Sequence, residues 1–182
     1  MTEPAAKLLA DNPFPGLRAF EASESDRFFG RRQQVDALVA QLATTPLLAV
    51  SGASGCGKSS LVKAGLLEAL EQAHEVDGQT AWLPVVMRPG QRPMANLAQA
   101  LAAALPRLAD HPGPEPLEDG GANSLDARAA SLLGQLRLGG LGLVEVVRLA
   151  RLPADTRVLL VVDQFEEQIG RASCRERVSS KV

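Results

Sequence analysis

Apolar residues recur along the chain at spacings that predict alternating helices and strands. Val35, Leu38, Val39 and Leu42 lie three or four residues apart, as on one buried face of a helix over residues 32–43. Similar stripes predict helices over residues 58–72, 93–105, 124–136 and 141–151. Short apolar runs at residues 47–50, 81–87 and 158–162 predict buried strands, although Pro84 restricts the second to a sheet edge or a bulge. The pattern therefore indicates an α/β fold.

A glycine-rich turn separates the first predicted strand from the helix that follows it. The stretch GASGCGKS fits G-x-x-x-x-G-K-[ST], the Walker A phosphate-binding loop, with the strand and helix that this motif requires. Its backbone N–H groups and the helix N-terminus attract phosphate, and the lysine reaches the β- and γ-phosphates. The predicted nucleotide-binding residues are Gly52, Ala53, Ser54, Gly55, Cys56, Gly57, Lys58 (also catalytic), Ser59 and Ser60. The alternative is a glycine-rich turn that binds nothing.

An acidic residue follows the third predicted strand. Residues 158–162 are all apolar, and Asp163 comes directly after them, at the strand end where open α/β sheets bind ligands. This is the pattern of a Walker B strand, whose carboxylate holds the water shell of Mg²⁺. We therefore expect Asp163 and the Ser59 hydroxyl to lie close enough to share one hydrated Mg²⁺.

Composition excludes several other classes of protein. The 182 residues carry a net charge of −2 with only 3% aromatic residues and no tyrosine, which does not favour a nucleic-acid surface. The apolar runs are too short to span a bilayer. Two cysteines, Cys56 and Cys174, form no disulfide framework, so the cytoplasm is the expected compartment.

The segment before the phosphate loop resembles a known family. The stretch NPFPGLRAFEASESDRFFGRRQQVDAL is similar to the start of bacterial STAND NTPases of the novel STAND type 1 group. The resemblance implies that Phe29, Gly30 and Arg31, from the F-F-G-R-[RE] box, lie against the adenine side of the nucleotide. Plain core packing of the two phenylalanines is the alternative. Arg88, in the R-P-G stretch, either faces the γ-phosphate or is a solvated loop arginine, and we expect the latter.

The D-Q-F-E-E spelling after the Walker B strand resembles the same family. The resemblance implies that Glu167, with Glu166 as the alternative, polarises the attacking water; both are otherwise solvated acids. It also implies a three-layer P-loop sheet, parallel and with helices on both faces, that binds ATP and Mg²⁺. Slow ATP turnover would set open and closed states of a signalling switch. The intact protein would self-associate and carry a C-terminal repeat or effector region.

The chain divides, by its sequence, into three parts. We expect a disordered N-terminus at residues 1–12, a partial NTPase domain at residues 13–168, and a non-native or disordered tail at residues 169–182. The tail is basic, lacks an apolar stripe, and resembles a translated sequencing adapter. On this interpretation the domain stops after the Walker B strand, and the isolated fragment is a poor enzyme.

Two other functions fit the same motifs. One is another P-loop ATPase, AAA-type or DNA-associated, which basic surface loops and an arginine finger would support. The other is a nucleotide-binding scaffold that does not hydrolyse its ligand.

Overall fold

A computed structural model of the chain describes residue 16 and residues 18–77, 80–105 and 125–166. The chain separates into two compact units, Met1–Ala81 and Trp82–Val182. The predicted N-terminal segment 1–12, the proline-rich stretch 106–121, Glu167 and the tail from residue 169 lie outside the described residues.

The first unit consists of helices and connecting loops among its described residues. A 3₁₀ helix spans Ala22–Arg27, and α1 spans Arg32–Thr44. Helix α2 runs over residues 58–77 as three consecutive segments: α-helical Lys58–Ser60, π-helical Leu61–Leu67 and α-helical Glu68–Asp77. The predicted apolar stripe of α1 is confirmed, because Val35 and Leu42 are buried. On α2 the buried apolar side chains are Ala64, Leu66 and Leu70.

The predicted strand at residues 47–50 is wrong. These residues have no regular secondary structure, and Leu47 is 84% exposed. A strand is stable only when a neighbouring strand accepts and donates its backbone hydrogen bonds. Within the described part of the chain, the sheet has two strands, and neither belongs to this stretch. Apolar composition alone therefore did not decide the local structure here.

The second unit holds the sheet and three further helices. Strand β1 spans Ala81–Met87 and β2 spans Thr156–Val162; between them lie α3 (Pro93–Ala104), α4 (Leu125–Arg137) and α5 (Gly142–Leu149). The two strands are parallel. The Asp163 N–H, just past the end of β2, donates to the Met87 carbonyl at the end of β1 at 2.9 Å. At the opposite ends, Arg157 lies over the Trp82 ring, 5.9 Å from its centroid. The described residues thus form a mixed α/β structure with a small parallel sheet.

One apolar core joins the helices of the second unit to one face of the sheet. Its fully buried members include Val85 of β1, Leu101 of α3 and Val146 of α5, and the half-buried Val158 and Leu160 of β2 pack against it. Residues 158–162 are less buried than the sequence predicts, because β2 has a single strand neighbour in the described residues. Pro84 is exposed on β1, as expected for an edge strand. No described helix combines the length and apolar character needed to cross a membrane.

Candidate functional site

The predicted phosphate loop is an exposed turn that leads directly into helix α2. Every residue from Ser51 to Gly57 is exposed. Gly55 and Gly57 have φ angles of 76° and 86°, in the left-handed region that glycine adopts without strain. Gly57 stands immediately before Lys58, the first residue of α2. The backbone therefore has the glycine conformation and the helix start of the Walker A pattern, but residues 47–50 do not form the strand that the pattern places before the loop.

The Lys58 side chain folds back over this loop. Its ammonium donates to the carbonyl oxygens of Gly52 and Ala53, at 3.0 and 2.9 Å. The Cys56 N–H also donates to the Ala53 carbonyl, at 3.3 Å. The positive charge is therefore held at the loop itself. Phosphate oxygens are stronger acceptors for an ammonium group than neutral carbonyls, because the bond is then charge-assisted at both ends.

The two serines after Lys58 differ in their surroundings. Ser59 is half-buried in the first turn of α2. Ser60 is buried, and its hydroxyl oxygen accepts the Phe20 N–H at 3.1 Å. The Ser60 hydroxyl thus anchors the chain segment that precedes the 3₁₀ helix, a use that the sequence pattern did not indicate. Its predicted role near the α-phosphate stays a prediction.

The F-F-G-R box lies beside helices α1 and α2. Phe28 is half-buried, packs against Phe20 with ring centroids 5.9 Å apart, and contributes to the packing of the first unit. Phe29 is 82% exposed. Gly30 has a φ angle of 81° and makes the turn that leads into α1. Core packing, the alternative that the sequence left open for both phenylalanines, therefore describes Phe28 and not Phe29.

A cleft of about 700 Å³ opens next to this box. Phe29, Gly30 and Arg31 line one part of it, and residues of α1 and α2, among them Glu68 and Gln72, line the rest. The Arg31 guanidinium also donates to the Cys56 carbonyl of the glycine-rich loop, at 3.2 Å. The structure thus brings Arg31 and the loop together, within one unit. A cleft of this volume is large enough for a small-molecule ligand.

The predicted Walker B residue, Asp163, lies in the second unit, at the carboxyl end of β2. Asp163 follows β2 directly, and its side chain is only 11% exposed. The next residue, Gln164, has a φ angle of 60°, which is unusual for a residue other than glycine and often marks a functional turn. Glu166 is exposed, and the predicted Glu167 lies outside the described residues.

Arg88 is exposed in the loop after β1, as predicted for a solvated loop arginine. The sequence did not predict its contact with Asp163: the Arg88 Nε donates to the Asp163 carboxylate at 3.3 Å. The contact arises because parallel strands bring the residues after Met87 and Val162 side by side. The R-P-G stretch after β1 was the available signal, but it does not reveal which strand pairs with β1.

The donor groups of these residues suit a nucleotide and Mg²⁺. Lys58 and the loop backbone, in the first unit, offer positive charge and N–H groups that suit phosphate. The Ser59 hydroxyl, in the first unit, and the Asp163 carboxylate, in the second, are hard oxygen donors of the kind that Mg²⁺ prefers. The Asp163 side chain is 11% exposed, and its carboxylate contacts the Arg88 guanidinium. No cluster of three or more metal-ligating side chains occurs within the described residues. Magnesium held through water and phosphate does not need one.

A glycine-rich loop that opens a helix, within a mixed α/β chain, is consistent with the class of P-loop NTPases. The chain belongs to one family of this class, Novel STAND NTPase 1, which matches residues 13–180. The matched range extends past Gln168 into the tail, outside the described residues. No curated protein matches the chain. No solved structure matches it either. Membership makes the protein a nucleotide-binding NTPase by family.

Proposed function

We propose that the protein binds ATP with Mg²⁺ and acts as a slowly hydrolysing STAND-type signalling switch. The observation that carries the proposal is the position of Lys58. Its ammonium donates hydrogen bonds to the carbonyls of Gly52 and Ala53, in an exposed loop where Gly55 and Gly57 already have positive φ angles. A triphosphate that enters this loop would meet the charge and the N–H groups without a large rearrangement of the backbone.

Each predicted residue has a role in this proposal. The loop from Gly52 to Ser60 holds the phosphates, and Phe29, Gly30 and Arg31 contact the base in the cleft beside α1 and α2. Ser59 and Asp163 are the metal-binding side chains. The metal would neutralise charge on the phosphates. Glu167, or Glu166 in its place, orients the attacking water.

Family membership supports further parts of the proposal, which concern the sheet, the compartment and the assembly of the protein. We propose that the strands described here belong to a wider parallel sheet covered by helices on both faces. We propose a cytoplasmic protein that self-associates in its ATP state and passes the signal through a C-terminal repeat or effector region. No nucleic-acid or membrane partner is part of the proposal.

Isothermal titration calorimetry of the whole chain with MgATP tests the proposal. Lys58→Ala is expected to weaken binding by at least about tenfold, because hydrogen bonds to charged groups contribute about 1.5–3 kcal/mol. The matched control is Lys63→Ala, which removes the same charge from the same helix. The Lys63 ammonium pairs with Glu21 at 2.9 Å and takes no part in the loop.

Unchanged ATP affinity in the Lys58→Ala variant would refute the assignment of the loop. Equal losses in both lysine variants would show that only the overall charge matters. Tight binding to the wild-type chain without phosphate release in a single-turnover assay would instead identify the non-hydrolysing scaffold.

A further inference from the structure

The carboxylate that we assign to the metal already has a cationic partner on the neighbouring strand. The Arg88 Nε lies 3.3 Å from the Asp163 Oδ2. The two side chains differ in accessibility, since Asp163 is 11% exposed and Arg88 is 56% exposed. The carboxylate is therefore fixed within the protein, while the guanidinium has open solvent into which it can move.

The backbone beside Arg88 is held in place by three further features. The Asn96 side-chain amide donates to the Arg88 carbonyl at 3.1 Å and to the Pro89 carbonyl at 3.0 Å. Pro89 is fully buried. The hydrogen bond from the Asp163 N–H to the Met87 carbonyl, 2.9 Å long, fixes the register of the two strand ends. The Cα of Arg88 is thus held next to Asp163, and only its side chain is free to change direction.

We propose that Arg88 is a positioning residue that keeps the Asp163 carboxylate oriented and competes with the cation for it. The inference rests on the proposed function, because it takes Asp163 as the metal-binding acid. A guanidinium and a hydrated divalent cation need the same carboxylate oxygens, and a positive charge at this distance opposes a second one. Cation binding at Asp163 therefore displaces Arg88 toward solvent and leaves the carboxylate where it is.

The test measures Mn²⁺ binding to the whole chain by electron paramagnetic resonance with ATP present, because the phosphates supply part of the metal's coordination shell. Arg88→Gln retains a polar side chain but removes the charge, and it is expected to tighten Mn²⁺ binding by roughly threefold to tenfold. Arg88→Lys keeps the charge and is expected to bind Mn²⁺ as the wild type does. The matched control is Arg92→Gln. Arg92 is exposed and lies four residues along the same loop, so its substitution changes the net charge equally.

The Asp163→Asn variant distinguishes failure of the role of Arg88 from failure of the metal assignment in the proposed function. It is expected to weaken Mn²⁺ binding severalfold, and Arg88→Gln added to it is expected to have no further effect. If Asp163→Asn leaves Mn²⁺ binding unchanged, the metal assignment in the proposed function fails. If Asp163→Asn weakens binding but Arg88→Gln does not tighten it, only the role of Arg88 is overturned. The role of Arg88 is also overturned if Arg92→Gln tightens Mn²⁺ binding as much as Arg88→Gln does. The same holds if Arg88→Gln still tightens Mn²⁺ binding in a chain that already carries Asp163→Asn.

Discussion

Single polar contacts attach the segment before the F-F-G-R box to the helix that carries the phosphate loop. The Phe20 N–H donates to the Ser60 hydroxyl, and the Lys63 ammonium pairs with the Glu21 carboxylate at 2.9 Å. Glu24 accepts hydrogen bonds from the Arg18 guanidinium and, at 3.0 Å, from the Glu21 N–H. These contacts attach the chain on both sides of the 3₁₀ helix's start to its neighbours.

The Glu24 contacts predict a pH dependence. The hydrogen bond from Arg18, followed by that from the Glu21 backbone, lowers the pKa of Glu24 from 4.5 to about 2. The unfolded chain therefore binds a proton at Glu24 before the folded chain does. The stability that Glu24 contributes is complete above pH 4.5 and is lost as the pH falls toward about 2.

A carboxyl-detected NMR titration measures this pKa directly. We expect the Glu24 midpoint near 2 in the wild type and closer to 4.5 in the Arg18→Gln variant. Urea unfolding should show that the Glu24→Gln variant loses less stability than the wild type between these two pH values. A wild-type Glu24 midpoint at its ordinary value would contradict the prediction.

At the residue scale, the sequence predicted the positions of some residues and not the contacts of others, for a physical reason. Lys58 at the start of a helix and Asp163 directly after a strand were predictable, because the motif patterns fix their place relative to these elements. The pairing of Arg88 with Asp163 was not, because it depends on which strands become neighbours. The burial of the Ser60 hydroxyl under Phe20 likewise depends on a contact between residues 40 positions apart.

At the scale of elements, helix α2 approaches α1 unusually closely at Gly65. This glycine is buried in the π-helical segment Leu61–Leu67. A Cβ atom at this position would lie 2.6 Å from Val35 Cγ2 and 3.3 Å from Phe28 Cε1. The absence of a side chain at Gly65 therefore lets α1, α2 and the F-F-G-R box pack together. Valine is stiff about its first side-chain torsion, so Val35 cannot easily move aside.

Gly65→Ala is therefore expected to destabilise the protein, although alanine is the better helix former by about 1 kcal/mol. Overpacking of this kind costs about 1–3 kcal/mol, measurable by urea unfolding followed by circular dichroism. Gly134→Ala is the matched control. A Cβ at Gly134 in α4 meets nothing within 4 Å, so this change should stabilise by about 0.5–1 kcal/mol. Equal stabilisation by both substitutions would disprove the close approach.

Helices and strands were predicted correctly where the residues of the element itself show the pattern that identifies it. The stripe on α1, the Pro93 start of α3 and the strand at Ala81–Met87 were read correctly. The strand predicted at residues 47–50 is wrong because a strand, unlike a helix, takes its hydrogen bonds from a partner elsewhere in the chain. Apolar composition indicates that a segment can be buried in a sheet, but it does not supply the neighbouring strand.

At the scale of the whole molecule, the chain contains two compact units, each of which has buried apolar residues. In the first, Leu66 of α2 is 3% exposed; in the second, Leu101 of α3 is fully buried. The predicted phosphate loop belongs to the first unit, and the pair of Asp163 and Arg88 belongs to the second. Because each unit has its own core, each can lose its structure in a separate opening event.

We therefore expect that shortening one core side chain increases local opening first in the unit that contains it. Leu101→Ala and Leu66→Ala should each destabilise by about 2–5 kcal/mol, because each removes a buried leucine side chain and leaves a cavity. Hydrogen exchange followed by mass spectrometry should show faster exchange in α3 and α4 for Leu101→Ala, and in α1 and α2 for Leu66→Ala. The two variants serve as controls for each other, since they remove the same atoms from different cores. Equal acceleration in both units by either variant would show that the chain unfolds as one cooperative body.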